Sequence, residues 1–126
     1  MTLKKKVLII DDDSRNIFAL KAVLTARDFH CISAFGAIEG INILNNDSDI
    51  GIILMDMMMP EMDGYESTSR IRRNPKYKKL PILAVTAKAM MGGREKCIKA
   101  GASDYISKPV DVDQLISLLR VWLYDN

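Results

Sequence analysis

The sequence lacks the features that normally announce a location or a charged partner. None of its 126 residues belongs to an apolar stretch approaching the length of a membrane span, and the lysines at 4–6 lead directly into a short apolar run rather than a signal-peptide core. Eighteen Lys and Arg against sixteen Asp and Glu leave a formal charge of +2, too balanced to indicate an electrostatic grip on nucleic acid or membrane. We therefore expect a cytoplasmic protein that binds neither.

Cysteine is also scarce, since Cys31 and Cys97 are the only two. They form no CxxC or Cys/His pattern, so we expect buried free thiols rather than a disulfide or a metal site. The chain contains no internal repeat, low-complexity segment or linker. Its length fits one domain with a proper core, and we predict a single domain over 1–126.

Five short apolar runs are present, and all but the second end on a polar side chain. Their length and their β-branched residues predict strands at Val7 to Ile10, His30 to Phe35, Ile52 to Met55, Ile82 to Val85 and Ser103 to Ser107. The central run is apolar at consecutive positions, which is typical of a parallel sheet covered on both faces.

Between these runs, apolar residues recur with helical spacing. The predicted helices run from Ser14 to about Arg27, Gly36 to Asn46, about Asp63 to Arg73, Ala87 to Ala100, and from about Asp111 to just before Asn126. The positions predicted to face inward are Ile17, Phe18, Leu20, Val23, Leu24, Ile38, Ile41, Leu44, Leu115, Leu118, Leu119 and Trp122. The residues predicted to cap or end helices are Ser14, Asp63 with Glu66, Asp111 with Gln114, and Gly101 in a left-handed conformation. Gly92 and Gly93 weaken the start of the fourth helix.

Alternating strands and helices with right-handed crossovers predict a flavodoxin-like α/β/α fold. Its five-stranded parallel sheet would have the order 2-1-3-4-5 and be covered by five helices. This order brings Asp11 and Asp12 beside Asp56, with Thr86 and Lys108 arriving from the next two strand ends. Clustered carboxylates repel one another unless a cation shares the site, and all-oxygen ligands suit Mg²⁺. A carboxylate nucleophile, a metal, a lysine and a hydroxyl together indicate phosphoryl chemistry centred on Asp56.

Four pieces of sequence in this order resemble the receiver domain of two-component response regulators, with similarity over essentially the whole chain. They are Asp11-Asp12 after VLII, MDMMMPEMDG around Asp56, AVTA around Thr86, and GASDYISKP ending at Lys108-Pro109. The segments MDMMMPEMDGYE and SKPVDVDQL are similar to the corresponding segments of receivers attached to hybrid histidine kinases.

The resemblance implies a phosphoacceptor module rather than a turnover enzyme. Asp56 would accept the phosphoryl group from a sensor histidine kinase or a histidine phosphotransfer protein, and Lys108 and Thr86 would bind it. Asp11, Asp12, Asp56 and the backbone carbonyl of Met58 would hold Mg²⁺, for which Mn²⁺ can substitute. Thr86 and Tyr105 would form a switch pair, and the Lys108-Pro109 bond would be cis. The resemblance also implies that the phosphorylated domain binds a downstream protein target. The domain would be either a monomer or a phosphorylation-dependent dimer.

Two alternatives stay open at this point. A degenerate receiver could act as a protein-binding scaffold without phosphorylation, although none of the five site residues is missing. An aspartate-nucleophile phosphohydrolase would need a second acid two residues after Asp56, where this chain has Met58. Because apolar Met58 would position no water, we also expect slow loss of the phosphoryl group. The basic residues at 70–79 lie at the opposite end of the sheet and are interpreted as a solvated face.

Overall fold

Five strands alternate with five helices along residues 6–60, 62–86 and 93–124, the parts of the chain described by the computed structural model. The strands are β1 (Lys6–Ile10), β2 (His30–Ala34), β3 (Ile50–Asp56), β4 (Ile82–Thr86) and β5 (Asp104–Ser107). The helices are α1 (Ser14–Ala26), α2 (Ala37–Asn46), α3 (Gly64–Arg73), α4 (Gly93–Ala100) and α5 (Val112–Tyr124), with a 3₁₀ turn at Pro75–Tyr77.

All strand pairs are parallel, and the sheet order is β2-β1-β3-β4-β5. The predicted flavodoxin-like topology is therefore confirmed. Because every strand points the same way, the polar residues that end the apolar runs meet at one edge of the sheet.

Both faces of the sheet are covered, which explains the uninterrupted apolar runs. In β1, Leu8 and Ile10 face a cluster that includes residues of α2, α3 and α4. Val7 and Ile9 belong to a second cluster with residues of α1 and α5. Each predicted strand thus contributes side chains to two separate cores. In the described part of the chain no helix is long and apolar enough to cross a membrane.

Two residues predicted to face inward do not. Phe18 on α1 is 76% exposed and Ile38 on α2 is 63% exposed. Each lies at the edge of its helix's apolar arc, where periodicity alone does not tell whether a neighbouring element covers the side chain. The N-cap of α1 also differs from the prediction, because Asp13 rather than Ser14 accepts the hydrogen bond from the backbone N–H of Arg15.

Arg72 departs from the prediction of a solvated basic face. Its guanidinium donates to the carbonyl oxygens of Gly101 at 2.8 Å, Tyr77 at 2.8 Å and Leu80 at 2.6 Å, and to Ser103 Oγ at 3.3 Å. It therefore joins α3 to the loops that enter β4 and β5.

The other predicted helix ends agree with the structure. Asp63 and Asp111 accept from the backbone N–H of Glu66 and Gln114, and Gly101 has φ +117° after the last turn of α4. Cys31 and Cys97 are free, with Cys97 buried and Cys31 half-buried. The predicted start of the fourth helix at residues 87–92 lies outside the described residues.

Candidate functional site

The carboxyl edge of the sheet is held together by hydrogen bonds between neighbouring strand ends. The N–H of Asp11 donates to Ala34 O at 3.1 Å, that of Met57 to Val85 O at 2.9 Å, and that of Lys108 to Thr86 O at 2.7 Å. Together with the pairing of Ile10 and Met55 between β1 and β3, these bonds fix the relative backbone positions of Asp11, Asp56, Thr86 and Lys108.

The three acids predicted from the strand order lie together. One carboxylate oxygen from each of Asp11, Asp12 and Asp56 falls within 4.8 Å of the others. Asp11 and Asp56 are almost completely buried, whereas Asp12 is exposed. Such a cluster of oxygen donors, open to solvent on one side, has the chemistry of a site for a hard divalent cation.

Two of the carboxylates are oriented by the same local turn. Asp11 Oδ1 accepts from the N–H of Asp13 at 2.9 Å, and Asp56 Oδ1 accepts from the N–H of Met58 at 3.0 Å. In both cases the side chain bonds the backbone two residues ahead, as in an Asx turn. The Asp13 contact was not anticipated from the sequence, although the run of three acids after the first strand contains it.

Burial and a neighbouring negative charge both act on the Asp11 carboxyl. Burial, together with the neighbouring Asp56 carboxylate, raises the pKa of Asp11 from 3.8 to about 6, although the N–H of Asp13 and the Lys108 ammonium act in the opposite direction. Without an added cation, the surroundings of Asp11 therefore disfavour its charged form.

Thr86 ends β4 and Lys108 follows β5, the next two strands of the sheet beyond the one that ends on Asp56. Lys108 Nζ lies 3.6 Å from Asp56 Oδ1, and its bond to Pro109 is cis. Thr86 is 5% exposed at the end of β4. Tyr105, on β5, is half-buried and packs against the core cluster shared with α4. The structure thus brings the predicted acids and the lysine together, with Thr86 at the neighbouring strand end and Tyr105 two residues before the end of β5.

The loop after Asp56 is packed tightly against the first residue of α3. The N–H of Gly64 donates to Met57 O at 3.3 Å, and a Cβ added at Gly64 would lie 2.6 Å from Asp56 O and 2.5 Å from Met57 Cα. Only glycine permits this approach. Met58, in contrast, is 61% exposed at the mouth of the site, so it is not the core filler that the other methionines of this loop are.

Comparison with known proteins places this geometry in a family. The sequence profile described as "Response regulator receiver domain" matches residues 7–120. The histidine-protein kinase BarA of Escherichia coli strain K12 is 37% identical over 120 residues, which is 93% of this chain. Those residues make up 13% of BarA, so the chain corresponds to a small part of that protein.

Two solved structures are similar throughout the chain. The receiver domain of the sensor histidine kinase PA1611 of Pseudomonas aeruginosa, described with a magnesium ion in its active-site cleft, has a TM-score of 0.85 and 30% identity, covering 94% of this chain and 97% of that one. The receiver domain of the Saccharomyces cerevisiae response regulator Ssk1, crystallised with the histidine phosphotransfer protein Ypd1, has a TM-score of 0.87 and 26% identity, covering 98% and 91%. The chain therefore belongs to the response regulator receiver domains, the signalling modules of two-component and phosphorelay systems.

Proposed function

We propose that Asp56 is the phosphoacceptor of this receiver domain. A carboxylate oxygen of Asp56 would attack the phosphorus of a phosphohistidine, forming the O–P bond. The P–N bond would break as the donor imidazole leaves with its electron pair. The observation that supports this assignment best is the position of Asp56 between two other acids and the Lys108 ammonium at 3.6 Å.

The same cluster supports a divalent metal in the reaction. Asp11, Asp12 and Asp56 would hold Mg²⁺, with the backbone carbonyl of Met58 as a further ligand and Mn²⁺ as a substitute. Two observations support this metal: burial and the neighbouring Asp56 carboxylate raise the pKa of Asp11, a charge that a cation would offset, and oxygen donors at one open spot fit a hard cation. When bound, the ion would offset the repulsion between the carboxylate and the incoming phosphoryl group.

Lys108 and Thr86 would bind the transferred group. The Lys108 ammonium supplies a point charge beside the acceptor oxygen. The Thr86 hydroxyl lies one strand away on the same edge, and the 2.7 Å bond from Lys108 N to Thr86 O links the two residues. Their joint displacement would report phosphorylation to the surface formed by α4, β5 and α5, with Tyr105 following Thr86 as the second member of the switch pair.

The proposed partners follow from this chemistry. The donor would be a sensor histidine kinase or a histidine phosphotransfer protein, and the altered surface would bind a downstream protein target as a monomer or a phosphorylation-dependent dimer. The domain would act in the cytoplasm as a stand-alone regulator or as part of a hybrid kinase, without binding nucleic acid or membrane. It would perform one transfer per cycle and not act as a turnover enzyme.

The direct test is the intact mass of the protein after incubation with acetyl phosphate, with and without Mg²⁺, alongside Asp56→Asn. We expect one added phosphoryl group that requires both the metal and Asp56. Because some receivers ignore small donors, binding of beryllofluoride is the second measurement. Failure of both would refute the assignment of Asp56 and favour a scaffold role.

A further inference from the structure

Exposed apolar side chains are concentrated at the acceptor end of the molecule. Among the described residues, the four most exposed large apolar side chains are Phe18, Ile38, Phe35 and Met58, with exposures of 76%, 63%, 61% and 61%. All four lie in segments that follow the carboxyl end of a strand. The others, such as Val121 on α5, are less exposed and lie toward the far ends of helices. The most exposed large apolar side chains of the described residues therefore lie in segments next to the acceptor end.

Two of these residues line a groove beside the acids. Phe35, Ile38, Met59 and Met62 supply the apolar part of a cavity of about 430 Å³. Asp12 lies in its wall, and its carboxylate is within 4.8 Å of Asp56 in the acid cluster. Any protein that brings a histidine to Asp56 must therefore cover the end of this groove.

Local contacts fix the shape of the groove. The N–H of Phe35 donates to Glu39 Oε2 at 2.9 Å, and Gly36, with φ +141°, turns the chain into α2. These two features hold Phe35 outward at the start of the helix. An apolar surface that is preorganised in this way binds a partner at a low entropic cost.

Charge indicates the chemistry of the occupant. The described residues that line the groove include three acids, Asp12, Glu39 and Glu66, and no basic residue. A complementary surface would therefore present an apolar side chain flanked by lysine or arginine. A basic rim also suits a donor that must approach an acidic site.

We propose that this groove receives an apolar side chain, flanked by basic residues, from the histidine-bearing protein that phosphorylates Asp56. The inference rests on the proposed function and adds a docking site to it. The chemistry of transfer belongs to the strand ends, whereas this groove, formed by the β2–α2 and β3–α3 connections, contributes to the choice of donor.

The experiment compares a small donor with protein donors. Acetyl phosphate reports the acceptor site alone. The histidine kinases and histidine phosphotransfer domains of the same organism, each purified and carrying ³²P-phosphohistidine, report docking, and the fastest donor to wild-type protein is used for the variants. Transfer is followed with receiver in excess, so that the rate gives kcat/KM for the pair.

Two variants have matched controls. Ile38→Ser removes a 63% exposed apolar side chain from the groove, and Val121→Ser removes a 47% exposed one from α5. Glu66→Gln removes a rim charge, and Asp49→Asn removes one from the opposite end of β3. We expect Ile38→Ser to lower kcat/KM for the protein donor by about tenfold. Glu66→Gln should lower the rate less but weaken its dependence on salt. The controls should change neither, and all four should react normally with acetyl phosphate.

Each other result overturns the proposal. Unchanged protein transfer to Ile38→Ser would mean that the donor does not occupy the groove, whether or not a downstream target does. Equal slowing with both kinds of donor would indicate damage to the acceptor site instead. If wild-type protein accepts phosphate from acetyl phosphate and from no histidine donor, the proposed occupant is wrong while Asp56 remains the acceptor. Failure with every donor, and with beryllofluoride, would instead refute the proposed function itself.

Discussion

The acidic cluster should make the stability of the metal-free protein fall as the pH rises through the range in which Asp11 titrates. The pKa of Asp11 is raised from 3.8 to about 6 by burial and by the Asp56 carboxylate. Between these two values the folded protein holds a proton that the unfolded chain has lost. Because stability rises with pH only where the unfolded state binds more protons, the contribution of Asp11 has the opposite sign here.

The size of the effect follows from the two pKa values. Below pH 3.8 both states are protonated and Asp11 contributes nothing. Above about pH 6 both are ionised, and the folded state is destabilised by at most ~3 kcal/mol. Since water reaches the open side of the cluster, where Asp12 is exposed, we expect about half of that.

The assay is urea denaturation from pH 4.5 to 7.5 in EDTA, for wild-type protein and for Asp11→Asn. Subtracting the two free energies of unfolding isolates Asp11 from the other titrating groups. The free energy of unfolding of Asp11→Asn should increase relative to that of the wild type as the pH rises. Added Mg²⁺ should stabilise the wild type more at pH 7.5 than at pH 4.5, because it offsets the charge that appears between them.

The matched control is Asp113→Asn, since the Asp113 side chain is 92% exposed in the first turn of α5, is not part of the acid cluster, and among the described residues makes only a 3.9 Å ion pair with Arg27. A difference between wild type and Asp11→Asn that stays constant across the pH range would refute the reasoning. The reasoning would also be refuted if Asp11→Asn became less stable relative to wild type as the pH rises, because the ionised form of Asp11 would then be the one that the fold stabilises.

Two further predictions concern the loop after Asp56 and the glycine at the end of α4. Met58→Asn should lose its phosphoryl group faster than wild type, because an amide at this 61% exposed position can orient a water molecule toward Asp56. The test is the rate of phosphate release after rapid removal of the donor. An unchanged rate would contradict the prediction. Gly101→Ala should lower the free energy of unfolding by about 1–3 kcal/mol, since φ is +117° and the new Cβ would lie 2.7 Å from Cγ of Arg72. Gly36→Ala, at φ +141° with nothing within 4 Å of the new Cβ, is the control in urea denaturation. Equal costs for the two glycines would show that the contact with Arg72 adds nothing.

The arrangement of the strands was predictable because it depends on short-range pattern. The apolar runs that contain Ile9, Leu54 and Leu83 each stop at a polar residue, and parallel pairing then brings those stops to one edge. The position of Asp56 beside Asp11 follows from strand order alone. The same reasoning brought Thr86 and Lys108 to the site without any knowledge of side-chain geometry.

Arg72 was not predictable in this way. Its acceptors are the carbonyl oxygens of Tyr77, Leu80 and Gly101 and the hydroxyl of Ser103, and the last two are far along the chain. No local pattern distinguishes Arg72 from its neighbours Arg70 and Arg73, which are exposed. A basic run therefore indicates a solvated face on average, but tertiary contacts can bury a single residue of the run.

Phe18 and Ile38 show a second limit of periodicity. A helical repeat predicts which side chains share a face, but the width of the covered part depends on the neighbouring elements. At α2, the buried arc contains Ala37, Gly40 and Leu44, and Ile38 lies just beyond it. Such residues at the edge of an arc are the ones that a sequence pattern assigns to the core and a partner surface can use.

Asp56 and Met58 lie two residues apart but have different roles: Asp56 is the proposed acceptor, and the Met58 side chain forms part of the exposed rim. Asp56 is 4% exposed, and its carboxylate is held by a backbone N–H and faced by Lys108. Met58 supplies that N–H while its own side chain is 61% exposed. The acceptor is thus fixed by main-chain contacts that do not depend on the nature of the side chain at 58. Substitutions on the exposed rim can therefore change the partner or the lifetime of the phosphoryl group without disturbing the hydrogen bond that orients Asp56.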